Sequence, residues 1–124
     1  MTTKAAAIHK FLSGSGVPAY AVSSVPDDAK MPYITYTLVT DAFTGYETAM
    51  EVDIWYYGDG EVAPNAKAQE LSDALGRGGR MLRCDGGAVW VKRGSPFCQV
   101  MQDSTDDKVK RRYVNLSLEF ITND

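Results

Sequence analysis

The stretch Tyr113-Val114-Asn115-Leu116-Ser117-Leu118-Glu119-Phe120 decides how the chain folds. Val114, Leu116, Leu118 and Phe120 alternate with Tyr113, Asn115, Ser117 and Glu119. That period of two predicts a strand with one core-facing side. Upstream, Met50, Val52, Ile54 and Tyr56 oppose Glu51, Asp53 and Trp55 in the same way. Tyr33 to Val39 is β-branched and aromatic, with Ile34, Tyr36 and Leu38 on one face and Tyr33, Thr35 and Thr37 on the other. These two segments are expected to pair as a long hairpin around Asp41 to Thr48. Met81 to Cys84 and Ala88 to Lys92 flank Asp85-Gly86-Gly87, a tight-hairpin signal, and Phe97 to Gln102 reads as a further strand after a turn at Gly94-Ser95-Pro96.

Two segments change to helical spacing. Ala5, Ile8 and Leu12, with Phe11 beside them, make an amphipathic helix from Thr3 to Leu12 that Gly14-Ser15-Gly16 ends. Pro64 suits the first turn of a second helix, Ala68, Leu71 and Leu75 form its buried stripe, and Gly76 is its expected left-handed terminator. Val17 to Pro32 holds three prolines around Asp27-Asp28-Ala29-Lys30 and reads as an extended, solvent-facing connection. The whole is predicted to be one α+β domain over residues 1–124, a mostly antiparallel sheet packed against two short helices in the order α-β-β-α-β-β-β-β. Neither an internal repeat nor a linker divides it.

Composition agrees with one globular unit: 124 residues, 44% hydrophobic and 23% charged. A chain of this length buries roughly two thirds of its unfolded surface and needs no staples. The balance of 13 basic against 16 acidic residues, net −3, argues against binding driven by neutralising phosphates. Cys84 and Cys98 lack metal-ligand spacing and stand far from His9, the sole histidine, so they read as reduced core or strand residues. No apolar run approaches the ~18 residues of a membrane span, and Met1 to Lys10 lacks a secretory signal's apolar run, so a cytosolic, membrane-free protein is expected.

Each sign of chemistry has a plainer reading beside it. His9 is expected to be exposed on the polar side of the first helix, without the nucleophile and orienting group that a general base needs. The pairs Asp27-Asp28 and Asp106-Asp107 lie in polar loops and read as solvated acids. Gly76-Arg77-Gly78-Gly79-Arg80 follows a helix, whereas a phosphate cradle precedes one. Trp55, Tyr56, Tyr57 and Trp90 read as core or interface aromatics. Lys108, Lys110, Arg111 and Arg112 follow Asp103, Asp106 and Asp107, a mixture that suits contact with protein better than with a phosphate backbone. No catalytic, cofactor or metal residue is assigned, and the expectation is a protein that is not an enzyme.

The order of segments resembles the tail terminator or tail-to-head joining (tail completion) family of long-tailed phages. The similar features are Val17-Pro18-Ala19-Tyr20 after the first helix, Pro32-Tyr33-Ile34-Thr35-Tyr36 opening the first strand, and Ile54-Trp55-Tyr56 followed within ten residues by an Ala/Leu helix. Gly94-Ser95-Pro96-Phe97 before a strand and the basic approach Lys108-Val109-Lys110-Arg111-Arg112-Tyr113-Val114-Asn115-Leu116 complete them. The likeness covers most of the chain and rests on pattern, since none of these short motifs is specific alone.

The resemblance implies a homo-oligomer, commonly a hexameric ring, that caps the tail tube protein, meets the neck or head-completion proteins and lets DNA pass through its lumen without specific binding. It places the protein in the virion at the tail-head junction, after assembly in the bacterial host cytoplasm. It puts assembly contacts on Asp41, Phe43, Thr44, Tyr46 and Glu47, and on Asp103, Asp106, Asp107, Lys108, Lys110, Arg111 and Arg112, with Pro26 to Lys30 as a third region. The acidic Asp27-Asp28 and the glycine-rich passage from Gly76 to Gly87 depart from the family, which leaves open the loop that faces the lumen. Other readings are a different small neck or head-completion protein, a ligand-binding α+β domain with a deep pocket near Trp55 or Trp90, and an RNA-binding sheet with aromatics on a basic face. Reversing the charge of Arg111 and Arg112 together is expected to weaken assembly and leave the monomer folded. Leu116→Ala is expected to cost roughly 2–5 kcal/mol.

Overall fold

A computed structural model describes residues 1–102 and 105–124. Its elements are α1 (Lys4–Ser13), β1 (Ala19–Ala21), a 3-10 turn at Val22–Ser24, β2 (Tyr33–Tyr36), β3 (Thr48–Tyr57), α2 (Val62–Leu75), β4 (Arg80–Cys84), β5 (Gly87–Gln102) and β6 (Val109–Thr122). All strands join one sheet in the order β1-β2-β3-β6-β5-β4, antiparallel except for the β1–β2 pair. The class is therefore α+β, as the patterning predicts.

The alternating segment forms the spine. β6 lies between β3 and β5, with Leu116 opposite Met50 and Val114 opposite Val52. Met50, Val52, Ile54, Val89, Val91, Val114, Leu116, Leu118 and Phe120 are buried, and Ile8 and Leu12 of α1 with Leu71 and Leu75 of α2 complete the same core. Fully burying a side chain of this size stabilises the fold by about 1.5–3 kcal/mol, so this face supplies most of the driving force. Thr3 caps α1 by accepting the Ala6 N–H at 3.0 Å, and Gly76 at φ 69° stops α2 while its N–H reaches the Ser72 carbonyl at 3.0 Å.

Three local expectations change. Ala19–Ala21 in the proline-rich connection is a strand parallel to β2 with Ala19 buried; three residues are too few to display an alternation, and the Ile34 N–H donates to the Pro18 carbonyl at 2.8 Å. β2 ends at Tyr36, and Leu38 lies exposed beyond it. The segments expected on either side of Gly94-Ser95-Pro96 form the single strand β5, whose register against β6 shifts between Arg93 and Cys98. That is a bulge in place of a turn. A side chain at Gly94 would meet the Asn115 backbone, and Asn115 Nδ2 donates to the Pro96 carbonyl at 2.9 Å, so the strand kinks without leaving its partner. The order becomes α-β-β-β-α-β-β-β.

Candidate functional site

Both helices pack on one face of the sheet, and the alternation turns every second strand residue to the other face. That outer face carries a layer of aromatic and charged side chains that shield one another. Arg111 of β6 donates from Nε and Nη2 to the two Asp53 oxygens at 2.7 and 3.3 Å. Its guanidinium lies 5.2 Å from the Trp55 ring centre and 5.9 Å from that of Tyr113. The hydrogen bond to Asp53 pushes the Arg111 pKa up, so the charge is fixed. Trp55 Nε1 donates to Thr35 Oγ1 at 2.9 Å, which explains why Thr35 is buried on a face no helix covers. Tyr20 and Tyr33 meet edge-on at 5.9 Å towards the β1 side. Farther along, Lys92 lies 3.8 Å from the Trp90 ring centre and bridges to Glu47 and to Glu119, the latter at 3.5 Å. Asp53, Glu47 and Glu119 balance Arg111 and Lys92, so the face is not the basic surface an RNA-binding sheet requires.

β2 and β3 pair antiparallel as expected, and the tip around Asp41 to Thr48 between them is a loop held at three places. The Asp41 carbonyl accepts a hydrogen bond from Lys4 Nζ at 2.6 Å, and the Phe43 N–H donates to the Asp124 carbonyl at 3.0 Å. Glu47 pairs with Lys92 and accepts from Ser117 Oγ at 3.1 Å; those hydrogen bonds, led by that from Lys92, hold its pKa below the ordinary value. Thr44 Oγ1 accepts the Tyr46 N–H at 3.1 Å. Between these anchors the side chains of Phe43, 56% exposed, and Tyr46, 78% exposed, stand in solvent.

The second predicted group divides. Asp103 lies outside the described residues. Asp106, Asp107 and Lys108 form a turn in which Asp106 Oδ1 accepts the Lys108 N–H at 2.9 Å and the Asp107 carbonyl accepts from Lys110 Nζ at 2.6 Å. The negative charge of Asp106, followed by desolvation, raises the pKa of the nearby Tyr57. Lys110, Arg111 and Arg112 belong to β6 and are not loop residues. Arg112 corrects the expectation outright. It continues the buried series 112, 114, 116, 118, 120 and is only 1% exposed. Its Nη2 donates to Glu61 Oε1 at 2.7 Å, its Nε to Asn65 Oδ1 at 2.9 Å and its Nη1 to the Arg111 carbonyl at 3.3 Å. Lys110 Nζ lies 3.2 Å from the other Glu61 oxygen. These bonds, led by that from Arg112, hold the Glu61 carboxyl below its usual range. Arg112 thus fastens the start of α2 to the sheet from inside, and reversing its charge would set a carboxylate against Glu61 in the core. Nothing in the sequence separates Arg111 from Arg112 except strand parity.

His9 has partners the sequence did not reveal. Its Nδ1 is 2.7 Å from the Tyr36 hydroxyl and its Nε2 is 3.1 Å from Ser13 Oγ. Tyr36 is buried, and desolvation raises its pKa, so the histidine supplies the hydrogen bond that this hydroxyl lost to burial. The i, i+4 spacing of His9 and Ser13 on α1 was the available signal; the approach of Tyr36 required the fold. Burial likewise raises the pKa of the Cys84 and Cys98 thiols, which are both unpaired. Among the described residues no group of three or more His, Cys, Asp or Glu is placed to hold a metal ion.

A cleft of about 640 Å³ opens between α1, α2 and β4, floored by Phe11, Leu71 and Leu82 and rimmed by Lys10, Glu70, Arg80 and Arg83. Arg80 sits 5.5 Å from the Phe11 ring centre. Neither Trp55 nor Trp90 lines this cleft. No helix is long and apolar enough to cross a membrane among the described residues.

No family model matches the chain, and no curated protein sequence matches it. The chain is similar in structure to a solved protein whose name states no activity, with a TM-score of 0.55 and 18% sequence identity over 92% of this chain and 90% of that one. At that identity the likeness concerns the fold alone.

Proposed function

We infer that this chain is a structural subunit of a phage or prophage tail, which closes the finished tube as a ring and offers the surface that joins it to the head. The observation carrying this reading is the uncovered sheet face, where Trp55, Arg111, Tyr113, Trp90 and Lys92 are held in fixed positions by one another, beside a pinned loop presenting Phe43 and Tyr46. A surface whose side chains are ordered before its partner arrives loses little entropy on docking, which suits a protein whose work is complementarity. Aromatic and arginine anchors are also the residues that dominate interface energetics. A net charge of −3 suits a channel through which DNA slides without sticking. Such a subunit breaks no bond; its partners are further copies of itself, the last tube ring and a neck protein.

The test is light scattering behind a sizing column over a wide concentration range, followed by electron microscopy of tail tubes polymerised with and without the protein. A discrete ring mass and tubes of limited length with capped ends are expected. Phe43→Ser with Tyr46→Ser should lower capping and leave the melting temperature within about 2 °C, because exposed substitutions scarcely alter stability. Tubes that grow equally long in the presence of the protein would defeat the reading. A sister role in the neck predicts binding to head-completion proteins with tube growth unaffected. The cleft beside β4 favours a second reading, a ligand-binding domain, for which a small-molecule thermal-shift screen is the direct assay.

A further inference from the structure

We propose that the cleft beside β4 receives the Pro26–Ala29 turn of a second copy of this chain, in a head-to-tail contact; this rests on the ring reading above and names the junction. The cleft has an apolar floor and a basic rim. Glu70, its one acidic rim residue, is already paired with Lys67 at 3.0 Å. Lys10, Arg80 and Arg83 are exposed, and no carboxylate pairs with them among the described residues. β4 also ends the sheet, so its outer backbone edge has no strand beside it among the described residues. An edge of this kind, bordered by cations, takes an acidic segment in preference to a neutral or basic one.

The chain carries a segment of that chemistry. Asp27 and Asp28 are adjacent and exposed at the tip of a turn closed by the Ala29 N–H donating to the Pro26 carbonyl at 3.0 Å. Neither has an ion-pair partner among the described residues, and Lys30 lies just past the turn. The turn belongs to the connection between β1 and β2, and β1 ends the sheet on the side away from β4. The acidic turn thus follows one terminal strand of the sheet and the basic cleft borders the other, with α1 packed against both and, among the described residues, no ion pair joining the two patches within one chain. Each copy then offers a free acidic turn to one neighbour and a free basic cleft to the other. Such a heterologous contact repeats, closing into a ring where the rotation allows it and running on as a filament otherwise.

The test uses two full-length variants, D27K/D28K and R80E/R83E, each compared with the parent by light scattering and by circular dichroism. All four positions are exposed, so folding is expected to persist. Each variant alone should associate at least about tenfold more weakly, because like charges then face each other at every junction. Mixed in equal amounts they should recover assembly, since alternating copies pair lysine turns with glutamate clefts and aspartate turns with arginine clefts. Should a reversal fail to fold, D28C combined with R80C in a chain carrying C84S and C98S, which removes the two native thiols, provides the independent reading under mild oxidation: a ladder of cross-linked multimers, absent from either single variant in that background, is expected. Parent-like assembly of both reversed variants, no recovery in the mixture, or no ladder would overturn this junction while leaving tube capping to decide the ring reading. A parent chain monomeric at every concentration would also overturn it and leave the cleft to an acidic segment of a different protein.

Discussion

Replacing Arg112 by alanine removes the one cation that is fully buried among the described residues, on the sheet face that packs on α2. The side chain loses hydrogen bonds of 2.7, 2.9 and 3.3 Å to Glu61, Asn65 and the Arg111 carbonyl. A hydrogen bond involving a charged group contributes about 1.5–3 kcal/mol, but these three share one donor group and do not add. Glu61 is 50% exposed and regains water, so no full penalty for a stranded buried charge applies. The methylenes lost from the core add about 0.8 kcal/mol each. With Cγ and Cδ lost, these give a loss of about 3–5 kcal/mol. For a domain of this size each kcal/mol lowers the midpoint by roughly 3–5 °C, so Arg112→Ala should melt about 10–20 °C below the parent. The assay is thermal circular dichroism at neutral pH, with light scattering at the same concentrations. Arg112→Met, which keeps the length and supplies apolar volume, should recover about half of the loss. A melting temperature for Arg112→Ala within about 2 °C of the parent, with association weakened, would refute the core role and return Arg112 to the surface where linear sequence places it.

Leu116→Ala, at a side chain 2% exposed on the spine strand, should lose roughly 2–5 kcal/mol in denaturant unfolding; a shift of the midpoint too small to measure would mean that β6 is not central. Gly87→Ala should fail to close the β4–β5 hairpin, because its backbone is at φ 155° and an added Cβ would run into the Ile121 carbonyl; an unchanged melting curve would contradict the register of β5 on β6. Acid should destabilise the fold through Glu61 and Glu47. Their folded pKa values are lowered, so between the folded value and the ordinary glutamate value of 4.5 the unfolded chain binds more protons. Their contribution is complete above the ordinary value and is lost as pH falls through the lowered ones. A pH titration of the melting temperature should show this decline, and Arg112→Met should flatten it; an equally steep decline in that variant would remove Glu61 from the account.

Period-two alternation in β3 and β6, the helix stripes and the Asp85-Gly86-Gly87 turn were legible because each is a local repeat that a single geometry satisfies. From these follow the α+β class, the apolar faces of β3 and β6 and the helix stripes that pack on them, whereas the inward side of β4 and β5, with Leu82, Val89 and Val91, carried no assigned face. It also marked Phe43 and Tyr46 as loop aromatics, although their anchors at Asp124, Lys4 and Lys92 lie far away along the chain. The remainder follows from contacts between residues distant along the chain. β1 is too short to announce itself and exists because β2 accepts it in parallel. Gly94-Ser95-Pro96 reads as a turn by residue type and became a bulge because β6 continues beside both halves of β5. Arg111 and Arg112 are alike in sequence, yet strand parity sends the first to the outer aromatic face and the second inward to Glu61 and Asn65. Ser13 reaches His9 by helix spacing alone, but Tyr36 meets it only because α1 packs on the sheet. Composition fixes how much surface must be buried, but the contacts among distant residues fix which charge is buried with a partner and which stays free to meet another chain.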